Sequence, residues 1–118
     1  MYTAAEFDTE LLKSINSTTD IAVLFDTHLN YVALNDAACH HLQKKQEEII
    51  GQCILDLYPD IIASTNHRNL LKALGGESII NFRLIGRNGN LFRTSYIPIY
   101  PASGKVTGVL VNASPLAG

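Results

Sequence analysis

Tryptophan is absent from the 118 residues, methionine occurs once and cysteine twice. Two cysteines are too few for the disulfide framework of a small secreted domain, so Cys39 and Cys53 read as apolar thiols. Runs of positive charge are missing too, and the formal net charge is −2. Without a basic patch there is no electrostatic footprint for nucleic acid or an anionic membrane, and contact with either is not expected of this domain. The longest apolar runs, such as residues 21–25 and 109–111, are far shorter than the ~20 residues a membrane span requires. The opening MYTAAEFDTELLKS lacks the basic and apolar regions of a secretory signal, so the expected location is a reducing cytoplasm. Paired carboxylates, a Ser-His-Asp set, a phosphate loop and an HExxH motif are all unreadable, and an enzyme is not expected.

What is present suits one compact domain: 47% hydrophobic and 17% charged residues supply a core without staples. TAAE reads as a capping box, Thr3 capping a helix to which Glu6 reaches back. Ala4, Phe7, Leu11 and Ile15 then fall on roughly one face of a short amphipathic helix. The cluster SINSTTD ends it, because small polar side chains compete for backbone hydrogen bonds. IAVLFD and YVALN follow as strands of a hairpin around DTHLN.

Asn35 opens a helical segment through Gln43, QEEIIG makes a turn ending at Gly51, and ILDLYPD is a short piece stopped by Pro59. From about Ala63 to Leu74, residues His67, Leu70, Leu71 and Leu74 follow i, i+3, i+4, i+7 spacing, a helix face turned toward a core, and Gly75-Gly76 stops it. SIINFRLIG, LFRTSYIPIY and KVTGVLVNAS then read as three strands, with RNGN and PASGK as turns; Asn88-Gly89 is a strong hairpin signal. Segregated strands and helices define an α+β class, an antiparallel sheet with helices over one face.

These landmarks together resemble the PAS sensory domain family. The resemblance rests on DIAVLFDTHLNYVALNDAA, a strand pair leading to an Asn that starts a helix; on QEEIIGQCILDLYP; and on FRLIGRNGNLFRTSYIPIYPASGKVTGVLVNAS. It covers Asp20 to Ser114. It implies a five-stranded antiparallel sheet with short helices on one face, enclosing a pocket for a small ligand, haem or flavin, and an attached output domain such as a histidine kinase or transcription regulator. The N-terminal helix and linker would take residues 1–19 and the sensor domain residues 20–118. Gln43 and Lys44 stand where many members have Gly and an aromatic residue, Asn88-Gly89 replaces the usual Asp-Gly, and VNASPLAG lacks the Asp-Ile-Thr often found at the output junction.

Adjacent helical residues point about 100° apart, so Cys39, His40 and His41 cannot converge on one metal ion. His41 reads as hydrogen-bonded or partly exposed rather than as a ligand. By the resemblance Ile54 occupies the place of the reactive cysteine of flavin photosensors, with Cys53 one residue early, which sets that reading aside. His67 shares a face with leucines, and haem-binding members carry their axial histidine on the corresponding helix; haem through His67 is a minority reading, no cofactor being the simpler one. Period two puts Phe82 with Leu84, and Phe92 with Thr94 and Tyr96, on core-facing sides of their strands, with Asn81 and Arg83 facing away. Tyr58, His67, Thr94 and Tyr96 are then the polar groups to meet a ligand, with Leu70, Leu71, Phe82, Leu84 and Phe92 as apolar wall. The alternative use of the domain is as a homodimerisation module with a filled core, through Phe7, Leu11 and Ile15.

Overall fold

The computed structural model describes residues 7–86, 89–100 and 104–116. Helix α1 (Thr9–Ser17) leads into strands β1 (Ile21–Asp26) and β2 (Tyr31–Leu34). Helices α2 (Asp36–Leu42), α3 (Gln46–Ile49) and α4 (Ile54–Leu57), a 3-10 turn (Pro59–Ala63) and α5 (Thr65–Leu74) follow, and β3 (Ile79–Ile85), β4 (Leu91–Ile99) and β5 (Gly108–Pro115) complete the chain. The strands form one sheet in the order β2-β1-β5-β4-β3, antiparallel at every junction.

Local chemistry explains the boundaries. The β1–β2 hairpin closes on Asp26, fully buried, whose carboxylate accepts from the backbone N–H groups of His28 and Asn30 and from Asn30 Nδ2. Asn35 caps α2 by accepting from Ala38 N at 3.0 Å. At the far end of α2, Gln43 takes a left-handed φ of 57°, and the N–H of Lys44 reaches back to Cys39 O at 3.2 Å. The turn thus keeps the conformation that glycine would adopt without strain. Ser64 caps α5 through His67 N, and Gly76 at φ 98° ends it.

The sheet is packed on its inner face and, at β1 and β2, on its outer face. Its inner face, with the α2–α5 helices, holds a core that includes Val23, Phe25, Ile54, Leu70, Tyr96 and Val109. The outer face of β1 and β2 presents Ala22, Leu24 and Val32 to Phe7 and Ile15. Phe7 is 7% and Ile15 2% exposed within a single chain, and Leu11 is half-buried. Two of the three side chains expected at a dimer face, Phe7 and Ile15, are thus buried against the chain's own sheet.

Other expectations shift. Thr3, Ala4 and Glu6 lie outside the described residues; the described helix starts instead behind Asp8, which accepts from Glu10 N at 2.7 Å, and Phe7 precedes it rather than riding on its face. The strands alternate as period two requires from Phe82 and Leu84 through Phe92, Thr94 and Tyr96. Before Phe82, however, β3 bulges between Ile79 and Phe82, with Asn81 at φ 59°; asparagine tolerates this conformation better than most side chains, and the extra residue restores the inward set. Arg87, Asn88 and most of PASGK lie outside the described residues, although Gly86 N donates to Asn90 O at 2.8 Å across the first of these turns.

Two substitutions check this account by urea unfolding. Asn35→Ala removes a cap and strands buried backbone groups, with an expected loss of about 2–4 kcal/mol. Gln43→Gly relieves the left-handed strain and is expected to raise stability by about 0.5–1 kcal/mol.

Candidate ligand cavity

Between the inner sheet face and the helices lies a cavity of about 470 Å³, within the range that holds small organic ligands. Ile21, Val23 and Phe25 from β1 and Val111 and Ala113 from β5 form its floor. Phe92 and Thr94 from β4 continue the floor, and Ala38, His41 and Leu42 from α2, Ile54 from α4, Ile61 and Leu70 form walls and roof. Tyr58, Asp60, Ser64 and Asn66 add polar atoms along one side.

Thr94 is the polar group best placed to meet an occupant. Its residue is 3% exposed, it lines the cavity, and its Oγ1 has no hydrogen-bond partner among the described residues. A buried hydroxyl left in this state costs about 1–3 kcal/mol, which a ligand donor or acceptor would recover. Ser64 Oγ, by contrast, is already used, donating to Ile61 O at 2.6 Å and accepting from His67 N at 3.2 Å.

Tyr58, Leu70, Leu84, Phe92 and Thr94, all expected at the site, do line the cavity. Tyr96 lies behind the wall: fully buried, it donates its phenol hydrogen to Asn66 Oδ1 and so holds a lining residue in place. Burial pushes the Tyr96 phenol up to about 12, with Asn69 offsetting part of the rise. Phe82 packs half-buried against the core rather than on the cavity. His67 is half-buried and outside the lining, and Leu71 is 49% exposed. The correction has one cause: the inward face of α5 carries Asn69, Leu70 and Ala73, rotated from the leucine-rich stripe. Asn66 serves the Tyr96 phenol beneath it, and Ala73 lets the helix approach the sheet. Axial ligation of haem by His67 gains no support from this placement.

Sequence reasoning missed His41 and the β1 and β5 floor. The floor was readable, since Ile21, Val23 and Phe25 share a face at period two. His41 stands edge-on to Phe92, with ring centroids 5.1 Å apart at 80°. Room for this pair comes from Gly86, where an added Cβ would lie 2.7 Å from Phe92 Cε2 and 3.1 Å from His41 Cε1. Both cysteines are free and half-buried, and burial, followed by the charges of Asp36 and Glu47, raises the Cys39 thiol above its ordinary value, so it is not activated. No cluster of three or more metal-ligating side chains occurs among the described residues, and none of their helices is long and apolar enough to cross a membrane.

An antiparallel sheet in this order, with short helices over a cavity on one face, defines an α+β architecture. A family model described as PAS fold matches residues 15–116, and the chain belongs to the PAS family. No curated protein matches it. Among solved structures, it is similar to a sensory box sensor histidine kinase from Vibrio cholerae, at 18% identity and TM-score 0.73, covering 93% of this chain and 90% of that one. It is also similar to VqmA bound to DPO, at 16% identity and TM-score 0.70, covering 92% of this chain and 58% of that one. The Vibrio cholerae VqmA dimer, described in the absence of target DNA, matches at 15% identity and TM-score 0.71 over 95% of this chain and 52% of that one.

Tyr96 gives a test by pH. Its phenol is neutral in the fold up to about 12 and ionises near 10 when unfolded, so the folded state holds more protons between these values and stability falls as pH rises through them. Thermal unfolding from pH 9 to 12 is expected to show this slope, and Tyr96→Phe to flatten it while costing about 1 kcal/mol at neutral pH for the lost hydrogen bond.

Proposed function

We propose that this PAS domain is a non-catalytic sensor that binds a small molecule in the cavity and passes the change to an attached output domain in a reducing cytoplasm. The observation that carries the reading is an apolar cavity of about 470 Å³ with a buried hydroxyl, Thr94 Oγ1, that has no partner among the described residues. Ligand-bearing and kinase-linked structures of the same fold support it by analogy.

A route for the signal follows from the sheet. Val111 and Ala113 on β5 touch the cavity, whereas the next residue, Ser114, donates to Asp20 Oδ2 at 2.7 Å. Asp20 sits on the segment joining α1 to β1. A ligand that presses on β5 therefore acts where the segments leading to both ends of the domain meet. Its effect is bounded by its difference in affinity for the two arrangements.

The dimerisation reading through Phe7, Leu11 and Ile15 is less favoured, because two of these side chains are already buried in one chain. Native mass spectrometry of freshly purified protein, beside Ala113→Phe, tests the sensor reading. Wild type is expected to carry or take up an added small mass. Ala113→Phe, which places a ring in the cavity, is expected to lose that mass with a stability change below about 1 kcal/mol, whereas the same change in a filled core costs about 1–3 kcal/mol. A variant that binds as wild type does, or unfolds as an overpacked core would, contradicts the reading.

A further inference from the structure

We infer that the occupant is an uncharged, mostly apolar small molecule that brings one hydrogen-bonding group to Thr94. This deepens the sensor reading and rests on it. The lining supplies the argument. Among the described residues it contains no lysine and no arginine. Its ionisable side chains besides the Tyr31 and Tyr58 phenols are His41 and Asp60, of which Asp60 is exposed. A carboxylate or phosphate entering this space would give up its hydration with no lysine or arginine among the described lining residues to receive it, and transfer on those terms is strongly unfavourable.

At the first turn of α5, Ser64, which lines the cavity, already takes the His67 N–H. A cationic ligand fares little better. Asp60 is on the solvent side, where water and salt weaken its pull, and the buried carboxylate of Asp26 is outside the lining and committed to His28 and Asn30. What the deep wall does offer is aliphatic and aromatic surface from Val23, Phe25, Ile54, Leu70 and Phe92. The Thr94 hydroxyl can both donate and accept, so it suits an amide, a ring nitrogen, a carbonyl or a hydroxyl on the ligand. It donates to a carbonyl or an unprotonated ring nitrogen and accepts from an N–H or O–H, and it orients a molecule whose affinity comes from the apolar remainder.

The test is a screen of size-matched fragments, equal numbers uncharged, anionic and cationic, with indole-3-acetamide, indole-3-acetate and tryptamine as one such trio. Binding is read from backbone amide shifts in labelled wild type at neutral pH. The expected result is that fragments shifting the Thr94, Val111 and Ala113 amides are uncharged, and bind at least about tenfold more tightly than their charged counterparts. Thr94→Val is expected to weaken hydrogen-bonding fragments about fivefold, leaving hydrocarbon fragments as tight or tighter, and Thr94→Ser to keep wild-type preference. Cavity binding dominated by carboxylates or amines overturns the ligand class while the site stands. Fragments that never shift these amides overturn the sensor reading beneath it. Equal binding of polar fragments by wild type and Thr94→Val removes Thr94 from the recognition, and the charge comparison in wild type holds even if the valine variant does not fold.

Discussion

The arrangement around the cavity depends on the side chain of Asn35. It is 3% exposed and uses both ends of its amide: Oδ1 accepts from Ala38 N and Ala22 N, and Nδ2 donates to the carbonyls of Thr18 and Asp20. One residue thereby fixes the start of α2, the start of β1 and the linker from α1. Helix α2 has seven residues, too few to persist alone in water. Its position over the sheet is set by this polar bracket together with the packing of Ala38, and it carries Ala38, His41 and Leu42 into the cavity wall.

A roof held in this way explains why the interior is not simply filled. Helices α2 to α4 are short, and backbone bonds tie the segment that carries α3 and α4 to the hairpin, such as Tyr31 N to Gln52 O at 2.9 Å and Ile54 N to Leu29 O at 2.9 Å. Long apolar helices would close on the sheet; these are stopped above it. The sheet itself is tightly joined, as Gly108 shows: a Cβ there would sit 2.3 Å from the carbonyl oxygen of Phe25. A rigid floor under a roof of short, polar-anchored pieces is a construction in which an occupant can bias the roof or β5 without unfolding the domain.

Much of this was legible in the residues because the local signals are strong. IAVLFD coincides with β1, Asn35 caps the helix it was expected to open, and alternation marks Phe92, Thr94 and Tyr96 as one buried side of β4. The misreadings share a physical origin in polar residues that work inside. Asn66 and Asn69 occupy the inner side of α5 where a hydrophobic stripe suggested His67 and Leu71. Apolar periodicity cannot see a helix face chosen by a buried phenol on another strand. The bulge at Asn81 and the packing of His41 on Phe92 beside Gly86 likewise depend on partners distant in sequence.

The space beneath α2 and α5 is a standing cavity rather than a packing gap that the chain closes. A crystal structure determined under xenon pressure tests it most directly, because xenon enters preformed apolar cavities without needing specific contacts. The account expects a xenon atom, or an already resident molecule, between Phe25, Ile54, Leu70 and Thr94. Side chains of these residues meeting across an empty map, with the Thr94 hydroxyl bonded to a protein partner, would contradict it.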